Sequence, residues 1–435
     1  MRVTVWECRV CGAGVDIAAP FPWRCPNSTA FDRRHVLAIV HGEPAGFARR
    51  EMATAQRTVD ENPFVAHDED LAWAAFANAN GIDATTRRAI VTELDDAVRA
   101  VAGVGFVATP FGRSDALSEA FGFADGGGVW VKDETGGVGG SQKARHLFTI
   151  LLHLIAAERL GYLPHRPPLA IASCGNAALA AATLANAASW PIDVYVPTWM
   201  SDGFGAELDR LGARIHRCDR RASDAAGDPA MFRFREAVDA GSIPFTVQGP
   251  ENALALDGGR TIGWEIGEQL TRAGVDHLDR MFVQVGGGAF AACLGAGLRE
   301  AADDVRLVAV QTAGCAPLRR AWDRAGADLD DGVRHVAERW GELMTPWEHP
   351  QSLADGILDD ETYDWLGVID AIGGVGGDAP VIADEADIVA AHQLARSAGF
   401  DVSATGSAGL AGLLASIDGM QPTEQVAVVM SGLER

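Results

Sequence analysis

Short apolar strand segments alternate with helical segments over most of this chain, and this alternation limits its fold more than any other feature. Eight such strand segments occur, at 129–132, 168–173, 193–197, 214–218, 244–248, 281–285, 306–310 and 425–430. Because most of them are continuously apolar, helices must cover both faces of each sheet, which favours parallel sheets. We therefore expect an α/β fold in which ligand-binding loops follow the carboxyl ends of the strands.

The chain is too long for a single hydrophobic core, since it has 435 residues and a domain typically holds about 100–200. We predict a small module over 1–45, a helical arm over 46–105 and an α/β region over 106–435. The arm is predicted from apolar residues at i, i+3 and i+4 in 68–80 and 85–101.

The net charge of −23 argues against binding to nucleic acid or to anionic membrane surfaces. The first ten residues lack the apolar core of a signal peptide, and no apolar run is long enough to span a bilayer. Seven cysteines, an odd number, argue against a disulfide framework. These features predict a soluble cytoplasmic protein.

Three of the cysteines, Cys8, Cys11 and Cys25, form a pattern typical of a zinc ribbon. Such a site needs four cysteine or histidine ligands, and Ser28 stands where the fourth cysteine is expected. We predict His35 as the fourth ligand, with Asp32 as the alternative. The competing interpretation is a metal-free remnant with buried thiols.

Lysine is rare here, because only Lys132 and Lys143 are found among 36 basic residues. Arginine stays protonated and cannot form an imine, so a retained lysine is a candidate for covalent chemistry. Lys143 lies in a glycine-rich turn that opens the apolar helical run 147–157, where the helix dipole disfavours a cation. The alternative is an ordinary solvated lysine at a helix start.

Three further strand-end loops are candidates for ligand binding. The segment 173–178, SCGNAA, leads into a helix whose first amides can bind an anion, although an ordinary helix cap would look similar. The segment 285–291 fits a dinucleotide-binding glycine pattern, but the following strand ends at Gln311 instead of the expected acid. A nest of amides for a single phosphate therefore fits better. The last strand ends at Ser431 and Gly432.

Taken in order, these loops resemble the fold-type II family of pyridoxal-phosphate (PLP) enzymes, which includes threonine synthase, threonine dehydratase, cysteine synthase and tryptophan synthase β. The resemblance runs from about Thr109 to Arg435, and the N-terminal ribbon-like segment and the run 259–266 are most like threonine synthases. The motifs that carry it are TPF (109–111), WVKDE (130–134), GSQK (140–143), SCGN (173–176), GGRTIGWEI (258–266), VGGG (285–288), AVQTAGCAP (309–317), ADGI (354–357), the stretch 399–413 and Ser431-Gly432.

The resemblance implies two doubly wound α/β domains with parallel sheets, a small one at about 165–245 and a large one built from 106–164 and 246–435. It also implies the site. Lys143 would form the Schiff base with PLP and move protons at the substrate Cα, and Asn176 would bond the ring hydroxyl. Ser431 would face the pyridine nitrogen and leave it neutral. The substrate would be held by Ser141, Ser173, Cys174 and Gly175, and the cofactor phosphate by Gly286, Gly287, Gly288 and Ala289.

A neutral pyridine is a weaker electron sink than a pyridinium, which suits elimination and replacement better than transamination. The expected function is thus a PLP-dependent lyase or synthase acting on an L-amino acid with a leaving group at Cβ or Cγ, of the threonine synthase or threonine/serine dehydratase type. The alternatives are a β-replacement synthase of the cysteine synthase type, a non-catalytic protein on the same scaffold and a nicotinamide oxidoreductase. The family resemblance further implies a homodimer.

Overall fold

The computed structural model describes residues 3–29, 32–41, 62–124, 126–301, 305–373 and 377–435. The expected boundary between the N-terminal module and the helical arm, at residues 45 and 46, lies outside these ranges. None of the helices in the described ranges is long and apolar enough to cross a bilayer.

The strands and helices are labelled here in chain order. The strands are β1 Val3–Cys8, β2 Gly14–Asp16, β3 Leu37–His41, β4 Phe111–Ser114, β5 Gly128–Asp133, β6 Leu169–Ala172, β7 Ile192–Pro197, β8 Arg214–Cys218, β9 Ile243–Pro244, β10 Arg280–Gln284, β11 Arg306–Thr312, β12 Val381–Ala383 and β13 Gln425–Met430.

The helices are α1 Pro63–Ala66, α2 Ala72–Ala79, α3 Ala84–Ala102, α4 Asp115–Ala120, α5 Lys143–Arg159, α6 Asn176–Ala187, α7 Asp202–Arg210, α8 Pro229–Asp239, α9 Ala255–Gly258, α10 Arg260–Ala273, α11 Ala289–Ala301, α12 Pro317–Ala325, α13 Val333–Glu338, α14 Trp340–Leu343, α15 Trp365–Ala371, α16 Glu385–Ser397 and α17 Ala408–Ser416. Short 3₁₀ turns connect several of them.

The chain divides into two compact units. The first contains the described residues up to 107 together with 137–258, and the second contains 108–136 and 259–435. The three-part division expected from the sequence stays a prediction.

The first unit is built on two sheets. A small antiparallel sheet has the order β2-β1-β3, and a parallel sheet has the order β8-β7-β6-β9. The long helix α5 is buried from Ala144 to Ala157, in keeping with its apolar sequence. The strand expected over 244–248 is shorter than predicted: β9 covers only Ile243–Pro244, and one further backbone bond follows it, from the Phe245 amide to the Ala170 carbonyl at 2.9 Å.

Both helices expected in the arm are present, as α2 and α3, and both belong to the first unit. Helix α3 begins at a capping residue, Asp83, whose carboxylate accepts a hydrogen bond from the Thr86 amide at 2.8 Å. Helix α2 is capped from a distance: the buried Asp257 carboxylate accepts from the Ala72 amide at 2.8 Å. This bond ties the arm to the segment that precedes residue 258.

The second unit is built on a six-stranded sheet with the order β12-β11-β10-β13-β5-β4. All neighbours are parallel except the edge strand β4, which is antiparallel to β5. The parallel α/β fold expected from the strand and helix alternation is confirmed. Since β10, β13 and β5 are parallel neighbours, the loops that follow them emerge at one edge of this sheet.

Lys132 in β5 is fully buried in the second unit, where its ammonium group has three acceptors. They are Glu265 Oε2 at 2.6 Å, the Thr109 carbonyl at 2.8 Å and Gln269 Oε1 at 3.0 Å. Three donors thus meet three acceptors, and the charge is paired with a carboxylate that is itself buried. Lys132 is an internal structural cation.

Replacing Lys132 by Met should lower the apparent free energy of unfolding by about 3–5 kcal/mol, because it leaves the Glu265 carboxylate buried without its cation. Urea unfolding followed by circular dichroism measures the change. The matched control in the same unit is Arg306→Met, which breaks a half-exposed pair with Asp378 and should cost less than about 1 kcal/mol. Equal losses in the two variants would contradict the structural role of Lys132.

Candidate functional site

Lys143 is the first residue of α5, and its amide donates to Ser141 Oγ at 3.4 Å. Two glycines, Gly139 and Gly140, make the preceding turn with φ of 67° and 66°, a conformation that side chains disfavour. Within the fully described stretch 140–157, Lys143 is the one residue that is not buried. A ligand can therefore reach its side chain, in contrast to that of Lys132.

The helix that carries Lys143 is held by side chains that donate to backbone carbonyls of the segment 254–258. His146 Nδ1 donates to the Ala255 carbonyl at 2.8 Å, and Thr149 Oγ1 donates to the Leu254 carbonyl at 3.2 Å. Burial, together with the positive charge of Lys143, lowers the pKa of His146 to about 3. His146 is thus a neutral hydrogen-bond donor at neutral pH.

The loop Ser173–Gly175 joins β6 to α6 in the same unit. Ser173, Cys174, Gly175 and Asn176 are all half-buried, whereas Ala172 and Ala177 on either side are buried. The first backbone bonds of α6 run from the amides of Ala178 and Leu179 to the Gly175 carbonyl, so the amides before them have no acceptor within the helix. This is the usual arrangement of an anion-binding helix start.

Helices α5 and α6 pack against each other, and the turn before Lys143 lies against α6. A Cβ added to Gly139 would stand 3.7 Å from the Ala180 backbone. The structure therefore brings the Lys143 turn and helix α6 together within the first unit. The α6 start carries the loop Ser173–Asn176.

Gly286, Gly287 and Gly288 lie between β10 and α11 in the second unit. Gly288 has φ of 93°, and a Cβ added to Gly286 would stand 2.4 Å from Asp359 Oδ2 and 2.9 Å from Ile357 Cα. Glycine is therefore required at these two positions by conformation and by space. The Ala292 amide donates to the Gly288 carbonyl, so the amides from Gly287 to Ala291 precede the first helical bond of α11.

Ser431 follows β13, the neighbour of β10 in the same sheet, and is buried. Its Oγ accepts a hydrogen bond from Gln284 Nε2 at 2.6 Å, and its amide donates to the Gly406 carbonyl at 3.1 Å. The sheet thus places the glycine loop and Ser431 at one edge of the second unit.

Two residues near these groups were missed from the sequence. Gln284 is a polar residue inside the otherwise apolar strand β10, which is a signal that could have singled it out. Asp359 follows the ADGI segment and lies against Gly286, but its position in an acidic run gave no sign of that contact.

The cysteine cluster predicted at the N-terminus is present in the first unit. Ligand atoms of Cys8, Cys11, Cys25 and His35 all lie within 4.8 Å of one another. Cys8 Sγ is 3.4 Å from His35 Nδ1, and Cys11 Sγ is 3.5 Å from Cys25 Sγ. A turn after β1 brings the first two cysteines together, since the Gly12 amide donates to the Cys8 carbonyl.

The residues beside the cluster connect it to the rest of the first unit through Glu251, which is almost fully buried. Arg24 Nη2 is 2.8 Å and Arg33 Nη1 is 3.3 Å from Glu251 Oε2, while Arg235 Nε is 2.6 Å from Oε1. The Ala253 amide also donates to the Trp23 carbonyl at 2.9 Å. One buried carboxylate thus joins three guanidinium groups from two parts of the chain.

Known proteins resemble this chain in sequence and in fold. A family model described as pyridoxal-phosphate dependent enzyme matches residues 104–432. A curated threonine synthase of Methanosarcina acetivorans is 26% identical over 317 residues, which is 71% of this chain and 70% of that protein.

Two solved structures show the similarity of fold. The processed form of threonine deaminase isoform 2 from Solanum lycopersicum matches with a TM-score of 0.60 and 18% identity, covering 81% of this chain and 91% of that one. Diaminopropionate ammonia lyase from Escherichia coli matches with a TM-score of 0.60 and 15% identity, covering 80% of this chain and 89% of that one.

The matched region contains Lys143, the Ser173–Asn176 loop, the three glycines and Ser431, and its parallel α/β architecture is that of the fold-type II structures. The expected fold class is thereby confirmed, as is PLP as the cofactor. Since the family model spans most of the sequence, this chain belongs to the pyridoxal-phosphate dependent enzymes.

Proposed function

We propose that this enzyme eliminates or replaces a substituent at Cβ or Cγ of an L-amino acid. The observation that carries the proposal is that a serine hydroxyl, Ser431, follows β13 at the sheet edge that also bears the glycine loop. When bound, PLP withdraws electrons from the substrate Cα, and a neutral pyridine does so more weakly than a pyridinium. A hydroxyl partner leaves the pyridine neutral, whereas a carboxylate would favour its protonation.

The described residues fit this cofactor. The glycine loop leaves no room for a side chain at Gly286, and the α11 amides that follow it supply donors for a phosphate. Lys143 is accessible within an otherwise buried helix start. We assign the phosphate to Gly286, Gly287, Gly288 and Ala289, the covalent link to Lys143, and the ring hydroxyl to Asn176.

Other residues of the chain would bind the substrate, move its Cα proton and contact the pyridine nitrogen. The loop Ser173–Gly175, together with Ser141, would bind the substrate carboxylate through hydroxyl groups and the backbone amides of the α6 start. The Lys143 amine, once released from the cofactor by the substrate, would hold and move the proton of Cα. Ser431 would donate a hydrogen bond from its hydroxyl to the pyridine nitrogen and would keep the proton.

The first prediction from this assignment is that Lys143→Ala abolishes the covalent link to PLP, because Lys132, the other lysine, is fully buried. The purified variant should lack the visible absorption that borohydride removes from the wild type. Lys132→Arg is the matched control and should keep that absorption. After reduction and digestion of the wild type, a pyridoxyl label on Lys132 would overturn the assignment.

The reaction type is tested with a panel of L-amino acids that carry hydroxyl, acyl, amino or phosphate leaving groups at Cβ or Cγ. The wild type should release a 2-oxo acid with ammonia, or a substituted amino acid, from at least one of them without any keto-acid co-substrate. The Lys143→Ala variant should lose this turnover by at least about 10³-fold, the scale expected for loss of a nucleophile that also moves protons. Turnover that required an added 2-oxo acid would contradict the proposal.

We also propose that Cys8, Cys11, Cys25 and His35 hold one structural zinc ion. Zinc–sulfur bonds of about 2.3 Å and zinc–nitrogen bonds of about 2.1 Å in a tetrahedron place ligand atoms about 3.6–3.8 Å apart. The two distances of 3.4 Å and 3.5 Å in the cluster are within about 0.3 Å of this geometry. Asp32, the alternative fourth ligand, instead lies 3.6 Å from His35 Nε2, where it can orient the imidazole.

Protein purified without chelator should therefore contain about one zinc per chain by elemental analysis. His35→Ala should lower both the zinc content and the affinity, because three thiolates leave the tetrahedral site open. Cys218→Ser, which changes a buried thiol in the same unit, is the control and should leave the zinc content unchanged. Less than half a zinc per chain in the wild type would favour the metal-free remnant.

A further inference from the structure

We propose that Gln284 is a positioning residue that fixes the Ser431 hydroxyl as a hydrogen-bond donor toward the pyridine nitrogen of PLP. This inference rests on the proposed role of Ser431 and deepens it. Both residues are buried at the carboxyl ends of neighbouring parallel strands of one unit. Their side chains are 2.6 Å apart, from Gln284 Nε2 to Ser431 Oγ.

The orientation of the Gln284 amide follows from its surroundings. Its Nε2 lies 2.9 Å from the Gly406 carbonyl, 3.3 Å from that of Thr405 and 3.4 Å from that of Val429. Carbonyl oxygens only accept hydrogen bonds, so the amide group that faces them must be the NH₂. The flipped orientation would bring the amide oxygen against three carbonyl oxygens.

The direction of the bond to Ser431 follows in turn. The NH₂ group has two hydrogens, and its two shortest contacts are Ser431 Oγ and the Gly406 carbonyl. An amide nitrogen does not accept, so Ser431 Oγ is the acceptor in this pair. The hydroxyl proton of Ser431 must then point elsewhere.

That proton is available for a ligand. Among the residues that the structure describes, Ser431 Oγ has Gln284 as its hydrogen-bond partner, and no protein acceptor lies within reach of the hydroxyl proton. A buried hydroxyl with an unused donor is matched by a ring nitrogen that carries a lone pair and no proton. Gln284 therefore selects the neutral form of the pyridine through Ser431.

The test uses the full-length enzyme loaded with PLP that carries ¹⁵N in the ring, because the nitrogen resonance reports its protonation and hydrogen bonding. In Gln284→Met, which has no amide donor, nothing holds the Ser431 hydroxyl as a donor toward the ring nitrogen. The resonance should then move downfield, toward that of a pyridine without a donor. The dissociation constant of PLP should rise about five-fold, as expected for one lost hydrogen bond.

The matched control is Gln311→Met, which removes a buried glutamine amide from the neighbouring strand β11. It should leave the resonance at the wild-type position, whereas a merely structural role for Gln284 would make the two variants alike. Should Gln284→Met fail to fold, Gln284→Glu is the second variant. It keeps the size and shape of the side chain, but a carboxyl group has at most one hydrogen to donate where the amide has two. It should shift the resonance in the same direction.

The outcomes separate the two proposals. A resonance unchanged in Ser431→Ala would remove Ser431 from the pyridine nitrogen, and the inference about Gln284 with it. A resonance that moves in Ser431→Ala but not in either Gln284 variant would overturn the inference about Gln284 alone. A wild-type resonance at the position of a pyridinium would overturn both without any variant.

Discussion

The close approach of two backbone segments at Gly258 is the constraint on which the position of Lys143 depends. A Cβ at residue 258 would stand 2.0 Å from the Arg145 carbonyl oxygen, so only glycine allows this approach. The neighbouring hydrogen bonds from His146 and Thr149 to the same segment need that short distance between the segments. The start of α5 is therefore located by the close backbone approach at Gly258 and by two buried side chains that donate to backbone carbonyls.

The same segment is itself fixed by buried polar groups. Asn252 donates to the Pro244 carbonyl at 2.6 Å and accepts from the Leu254 amide at 3.1 Å, and Asp257 caps α2. Each of these side chains is fully buried and hydrogen-bonded, so moving one would leave a polar group without a partner in the core. Lys143 is thus positioned with the help of the buried side chains of Asn252 and Asp257, to which no part of the proposed chemistry is assigned.

Much of this arrangement could be predicted from the sequence, because the ends of strands can be recognised where an apolar run meets glycine or serine. The parallel fold followed from the apolar strands, and PLP followed from the resemblance of the strand-end loops to a known family; both are confirmed. The helices at 72–79 and 84–102 followed from their apolar periodicity. The short β9 did not, since the prediction rested on a run of apolar residues, and such a run does not show where strand pairing begins or ends.

The contacts of Asp359 and Gln284 could not be predicted, because they join residues far apart in the chain. Whether a glutamine in an apolar strand meets a hydroxyl or solvent depends on strand order, and no local pattern gives that order. The individual roles of Ser141, Ser173, Cys174, Gly175 and Asn176 stay predictions.

The three arginines that pair with Glu251 limit how far the chain can be truncated from its N-terminus without loss of folding. The first 41 residues contribute Arg24 and Arg33 to that buried carboxylate, and the Pro20 carbonyl accepts from the buried His153 at 2.7 Å. A shortened chain that began at α1 would keep Glu251 with Arg235 alone and would expose one side of α5. The cysteine-bearing segment is therefore packed into the first unit through buried polar contacts. A truncated form that folds independently should include this segment.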